Sequence, residues 1–197
     1  NRRFSQDSMT NLLYVCKYNI DRSPVAEVIT KQKVRTKTLG VSSAGLRGNG
    51  KYPTMGITME MRTILKERGY NFWKHDNQTL IDTLLQSQDL ILCMKKVQVA
   101  ALLEEAPSLE GKIYTLPAYA GFEDEEIHSP SYFIKKVPGY SMFSSMPYCV
   151  RDSVYSFLGC TDRRDCQGVL SVHRKMVENI EEYVSLALKR MSSEKLI

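Results

Sequence analysis

Short apolar runs that alternate with helix-period segments constrain this chain more than any other feature of its sequence. NLLYVC (11–16) is apolar almost throughout and too short for a helix, so it reads as a buried strand. Ser23 and Pro24 follow as a cap and a first-turn proline, which predicts a helix from Pro24 into the thirties. KTLGVSSAG (37–45) reads as a second strand ending in a loop. TMGITMEMRTILKERGY (54–70) carries apolar residues at helical spacing, with Gly69 as its stop. DLILCM (89–94) is a third strand, KKVQVAALLEEAP (95–107) a helix closed by Pro107, and GKIYTLP (111–117) a fourth strand. VHRKMVENIEEYVSLALKRM (172–191) is a long amphipathic final helix. Strands alternating with helices predict an α/β fold: a four-stranded parallel sheet flanked by helices on both faces.

At 197 residues the chain is expected to form a single domain, 9–197, with Met9 read as the native start and residues 1–8 as a tag or a disordered N-terminus. Residues 120–165 break the rhythm with Pro130, Pro138, Pro147 and no clear period. Five cysteines (Cys16, Cys93, Cys149, Cys160, Cys166), odd in number and irregular in spacing, argue against a secreted disulfide framework and for a reducing, cytoplasmic compartment. No CxxC or HxxxH spacing suggests a metal site, and no cofactor is implied. No apolar run reaches membrane-spanning length. The net charge of +5 suits phosphate, sulfate and other anionic partners, while the scattered basic residues do not make a nucleic-acid surface.

Cys16 ends the first strand, and Arg22 stands at the start of the first helix. A thiol attacks only as thiolate, and amides at a helix N-terminus favour negative charge. The amides from Lys17 to Arg22 can curl around a tetrahedral oxyanion, and Arg22 offers it a bidentate fork. Such a loop suits in-line attack of sulfur on phosphorus, a phosphocysteine intermediate and its hydrolysis. A Cys-x5-Arg spacing alone is a weak motif. Its place between a strand and a proline-started helix strengthens it.

VCKYNIDRSPVAE (15–27) resembles the V-C-x-G-N-x-C-R-S-P-x-A-E pattern of the low-molecular-weight protein tyrosine phosphatases. SSAG (42–45) matches that family's Ser-Ala-Gly, HDNQTL (75–80) its H-x-x-R-Q-L/I, and SQDLILCM (87–94) its A-D-L-I-L-x-M. The resemblance implies the flavodoxin-like fold of that family, with Cys16 as nucleophile and Arg22 as phosphate clamp. Lys17, Tyr18, Asn19, Ile20, Asp21 and Ser23 complete the phosphate loop, with Ser23 bonded to the thiolate. Asn19, Ser43 and His75 hold the loop in shape. Ile20 matches members directed at phosphotyrosine, whereas relatives acting on phosphoarginine tend to have threonine there. Two departures stand out. Tyr18 replaces the family's glycine, reducing freedom at that position. Asp21 replaces its second cysteine, and a carboxylate there repels the anion unless it points outward.

The family's general acid is the Asp of a D-P dipeptide, and this chain has no D-P. IHSP (127–130) sits where I-P-D-P is expected but offers Ser129, a poor acid. Asp152 is the favoured acid, with Asp165 and Asp162 as alternatives. On this alignment residues 122–149 form an insertion before the last helix, a lid or a docking surface for a protein partner. Tyr52 and Tyr155 are candidates for the pocket wall. The resulting reading is a phosphotyrosine protein phosphatase acting on phosphorylated proteins or small phosphomonoesters. Two alternatives stay open: a pseudophosphatase that binds phosphorylated ligands without turnover, and an arsenate reductase, which shares the fold and requires resolving cysteines.

Overall fold

The computed structural model of the protein describes residues 9–34, 36–47, 56–71, 75–130 and 163–197; for 82–83 and 163–169 it describes the backbone alone. Its elements run β1 (Thr10–Cys16), α1 (Arg22–Lys33), β2 (Leu39–Gly45), α2 (Met59–Glu67), α3 (Asp82–Gln86), β3 (Leu90–Cys93) and α4 (Lys96–Glu105). After a short 3-10 turn come β4 (Ile113–Thr115), α5 (Leu116–Tyr119) and α6 (Arg163–Ser193).

The four strands pair in parallel in the order β2-β1-β3-β4, as the alternating pattern predicts. β1 is central, and its side chains divide by parity between two cores. Leu12, Tyr14 and Cys16 join Leu90, Leu92 and Met94 under α1, α2 and α6. Leu13 and Val15 join Ala44, Ile91, Cys93 and Ile113 under α3 and α4. Both faces are covered, which is why β1 and β3 read as near-continuous apolar runs. Each fully buried Leu or Ile contributes about 1.5–3 kcal/mol to this packing.

Gly69 does end α2. With φ at +77° it lets Tyr70 N–H reach Leu65 O at 2.8 Å and its own N–H reach Lys66 O at 3.0 Å. The final helix begins at Arg163 rather than 172. The sequence of its first turns, RRDCQG (163–168), has no apolar period, so it carries no signal for the helix start. Residues 122–130 return to the sheet. Phe122 stacks on Tyr183 of α6 at 5.5 Å, and Ile127 N–H bonds Met94 O at 2.9 Å. The rest of the 122–149 segment, like residues 1–8, lies outside the described residues.

Candidate active site

The site lies at the carboxyl ends of β1 and β3, where a parallel sheet opens a crevice. Cys16 is the last residue of β1, and residues 17–21 turn from it into α1. Backbone bonds pin this loop from both sides. Cys16 O and Lys17 O accept from Leu46 N at 3.0 Å and Arg47 N at 2.9 Å, and Ile20 O accepts from Thr58 N at 3.2 Å. Gly45 packs so close beneath the loop that a Cβ there would sit 2.9 Å from the Tyr18 carbonyl carbon.

Asn19 carries the loop's unusual geometry. Its φ is +58°, a left-handed conformation that asparagine tolerates better than most residues. The side chain is fully buried and every polar atom is used. Gln78 N–H, a backbone donor, bonds Asn19 Oδ1 at 2.9 Å and so fixes which end of the amide is oxygen. His75 Nε2 lies 2.9 Å from the same Oδ1 and 3.2 Å from Asn19 O. Both are acceptors, so Nε2 carries the proton. Asn19 Nδ2 then donates to Ser23 Oγ at 3.0 Å and Ser43 Oγ at 2.8 Å.

Those two hydroxyls, having each accepted a bond, direct their own protons elsewhere. Ser43 donates to Glu27 Oε2 at 2.5 Å. Ser23 donates to Cys16 Sγ at 3.0 Å, with Ala44 O a longer option at 3.4 Å. Asn19 N–H also points at Cys16 Sγ, at 3.3 Å. The sulfur thus receives two donors, an arrangement that favours negative charge on it. Burial holds His75 below its ordinary imidazole value, against the opposing pull of Glu27, whose Oε2 lies 3.8 Å from Nδ1.

α1 contributes its N-terminus. Asp21, its N-cap, makes no side-chain capping bond, and the first turn contains no acidic residue. Asp21 Oδ1 instead accepts from Thr58 Oγ1 at 2.8 Å, in the field of His173 and Arg22. Burial nonetheless raises this carboxyl above the usual range. Asp21 Oδ1 is thus engaged with the N-cap residue of α2. Tyr18 needs no glycine substitute, because the positive φ of the loop falls on Asn19 and not on it. The ring of Tyr18 lies 5.0 Å from Lys17 Nζ.

A cavity of about 640 Å³ opens beside the loop, walled by Lys17, Arg22, Arg47, Lys95, His128 and Ser129 with apolar residues of α3 and α4. Arg22 is buried, and its Nη1 donates to Ile127 O at 3.0 Å. Cys93 is fully buried on the opposite sheet face, and burial pushes its thiol well above the ordinary range, with Cys16 adding to the rise. Among the described residues no cluster of His, Cys, Asp or Glu is placed to hold a metal, and no helix is long and apolar enough to cross a membrane.

The structure therefore brings together Cys16, Lys17, Asn19, Arg22, Ser23, Ser43 and His75. Tyr52, Asp152, Tyr155 and Asp162 lie outside the described residues, as does the side chain of Asp165, whose backbone falls within α6. The sequence reading assigned no role to Glu27, Gln78, Thr58 or the Arg22-bound carbonyl of Ile127. Glu27 was within reach, since it closes the SPVAE stretch one helical turn beyond Ser23 and so shares its face. The contacts of Gln78 and Ile127 are made by backbone atoms, which leave no side-chain signal.

A family profile described as "Low molecular weight phosphotyrosine protein phosphatase" matches residues 11–144. The low molecular weight protein-tyrosine-phosphatase Etp of Escherichia coli K12 is 28% identical over 126 residues, covering 64% of this chain and 80% of that protein. Ptp of Acinetobacter johnsonii, of the same description, is 32% identical over 125 residues, covering 62% and 84%. Among solved structures, the YwlE arginine phosphatase of Geobacillus stearothermophilus superposes with a TM-score of 0.69 at 19% identity, covering 95% of this chain and 96% of that one. The low molecular weight protein tyrosine phosphatase of T. tengcongensis gives 0.65 at 22%, covering 91% and 98%.

Proposed function

The chain belongs to the low molecular weight phosphotyrosine protein phosphatase family, and from that membership we propose that it hydrolyses phosphotyrosine in proteins through a cysteinyl-phosphate intermediate. One observation carries the reading: Ser23 Oγ and Asn19 N both donate to Cys16 Sγ at the closed end of a loop whose open side holds Arg22. A phosphate dianion enters beneath Arg22 and the N-terminus of α1. The Cys16 thiolate attacks phosphorus, an S–P bond forms, and the P–O bond to the tyrosine ring breaks. The leaving phenolate takes a proton from an acid outside the loop. Water then attacks phosphorus, releasing inorganic phosphate and restoring the thiolate, which the same two donors stabilise as leaving group.

Arg22 and the amides of the loop share the charge that spreads over the equatorial oxygens. We place this work in the cytoplasm, where a free thiol stays reduced. The buried, high-lying thiol of Cys93 is ill suited to resolve a mixed disulfide, so it does not favour arsenate reduction. Asp21 and the absent D-P dipeptide favour the binding-only alternative, and the bond from Thr58 to Asp21 weakens the first of the two.

The test is phosphate release from a phosphotyrosine peptide and a phosphoarginine peptide by the wild-type chain and Cys16→Ser. The proposal expects turnover of the first peptide, lost in the variant. Phosphate binding without turnover by the wild type would establish the binding module instead.

A further inference from the structure

We propose that His128 is the proton donor to the leaving group, taking the place of a carboxylic acid in the reaction; this rests on the phosphatase reading above. Two backbone bonds fix its position. Ile127 N–H is held by Met94 O at the end of β3, at 2.9 Å, and Ile127 O is held by Arg22 Nη1, at 3.0 Å. Residue 128 is therefore the next residue beyond a carbonyl clamped to the buried guanidinium of the phosphate site. Pro130, also buried, follows and limits the freedom of the segment. The half-buried imidazole and Ser129 wall the same cavity as Lys17 and Arg22.

Elimination among the groups at that wall supports the assignment. Lys17, Arg22, Arg47 and Lys95 are cationic partners for the anion rather than proton donors. Ser129 is a poor acid. Glu105 ends α4, about 14 Å along the helix axis from its start beside the loop. Asp21 is bonded to Thr58. Imidazole has the acidity that proton transfer near neutral pH requires.

The surroundings fit the role. Arg22 of α1 and Lys95 before α4 face the ring with positive charge, Glu126 of its own segment with negative charge, and Lys17 stands on the same wall. Burial, Lys95 and Arg22 hold the imidazole below its ordinary value, over the opposing pull of Glu126. A phosphate dianion bound at Arg22 adds negative charge to the wall that His128 shares, which favours the imidazolium. Substrate thus charges the acid that it needs. As the P–O bond breaks, a ring N–H proton passes to the phenolate oxygen. The neutral imidazole then accepts a proton from the water that attacks phosphocysteine, and the imidazolium is restored.

The experiment compares wild type, His128→Gln, His128→Asp and Asp152→Asn on two esters, phenyl phosphate and p-nitrophenyl phosphate, across pH. The poor leaving group needs the proton and the good one hardly does. His128→Gln is expected to lose roughly 10²-fold in rate on phenyl phosphate and much less on the nitrophenyl ester, in line with the size of general acid catalysis. His128→Asp should restore part of the loss and shift the alkaline limb of the pH profile. An equal loss on both esters, or a selective loss in Asp152→Asn with His128→Gln unaffected, would overturn the assignment while leaving Cys16-dependent turnover intact. Absence of wild-type turnover on either ester would defeat the phosphatase reading itself, and this assignment with it.

Discussion

Replacing Ser23 with alanine removes one hydroxyl and tests how the loop manages charge on sulfur. Ser23 is completely buried and accepts Asn19 Nδ2 at 3.0 Å, so its single proton is free for Cys16 Sγ, also at 3.0 Å. A hydrogen bond to a charged partner contributes about 1.5–3 kcal/mol, and each 1.4 kcal/mol is about tenfold in rate. Sulfur gains negative charge as it leaves phosphorus, so hydrolysis of the phosphocysteine should slow by about 10- to 150-fold. Binding of the ester should change little, because the hydroxyl faces sulfur and not the cavity. Stopped-flow measurement with p-nitrophenyl phosphate separates the nitrophenolate burst from steady-state turnover, and the steady-state phase should fall while the burst is kept. Asn19 Nδ2 keeps Ser43 Oγ as a partner, so the fold should survive. A variant with a wild-type steady-state rate would refute the reasoning from donor geometry.

Three further outcomes follow from the same network. Asp21→Asn should raise stability at neutral pH, because a carboxyl whose burial raises it above the unfolded value destabilises the fold once ionised; the gain should shrink as pH falls into the carboxylate range, as read by denaturant unfolding. Gly45→Ala should slow turnover while leaving far-ultraviolet circular dichroism unchanged, because the added Cβ would meet the Tyr18 backbone at 2.9 Å and push the loop from its seat. His75, held below its ordinary value by burial, contributes stability that is present above about pH 6.5 and lost as pH falls below it, so the acid side of the stability profile should flatten in His75→Gln.

Much of this architecture is legible in the chain. NLLYVC and DLILCM announce two-sided burial, and Ser23-Pro24 announces the start of α1 to within two residues. Gly69 announces the end of α2 through a conformation that glycine alone adopts freely. The start of α6 was not legible, because RRDCQG (163–168) shows no apolar period. The loop residues Cys16, Asn19 and Arg22 could be singled out from spacing and family likeness. The reason Asn19 suits the loop, a left-handed φ combined with four side-chain bonds, needs coordinates. Tyr18 looked like a liability in sequence because the family has glycine there, yet the strained conformation falls one residue later. Asp21 looked hostile to an anion, and Thr58, distant in sequence, supplies its Oδ1 with a donor. Such pairings between remote segments, like that of Arg22 with Ile127, carry no local pattern from which to infer them.

The most direct measurement is intact-mass and peptide analysis of the protein quenched in denaturant during turnover of p-nitrophenyl phosphate. The account predicts one added phosphoryl group, lying on the peptide that contains Cys16 and absent from Cys16→Ser. Steady turnover with an unmodified Cys16 peptide, or a phosphoryl group on another residue, would contradict it.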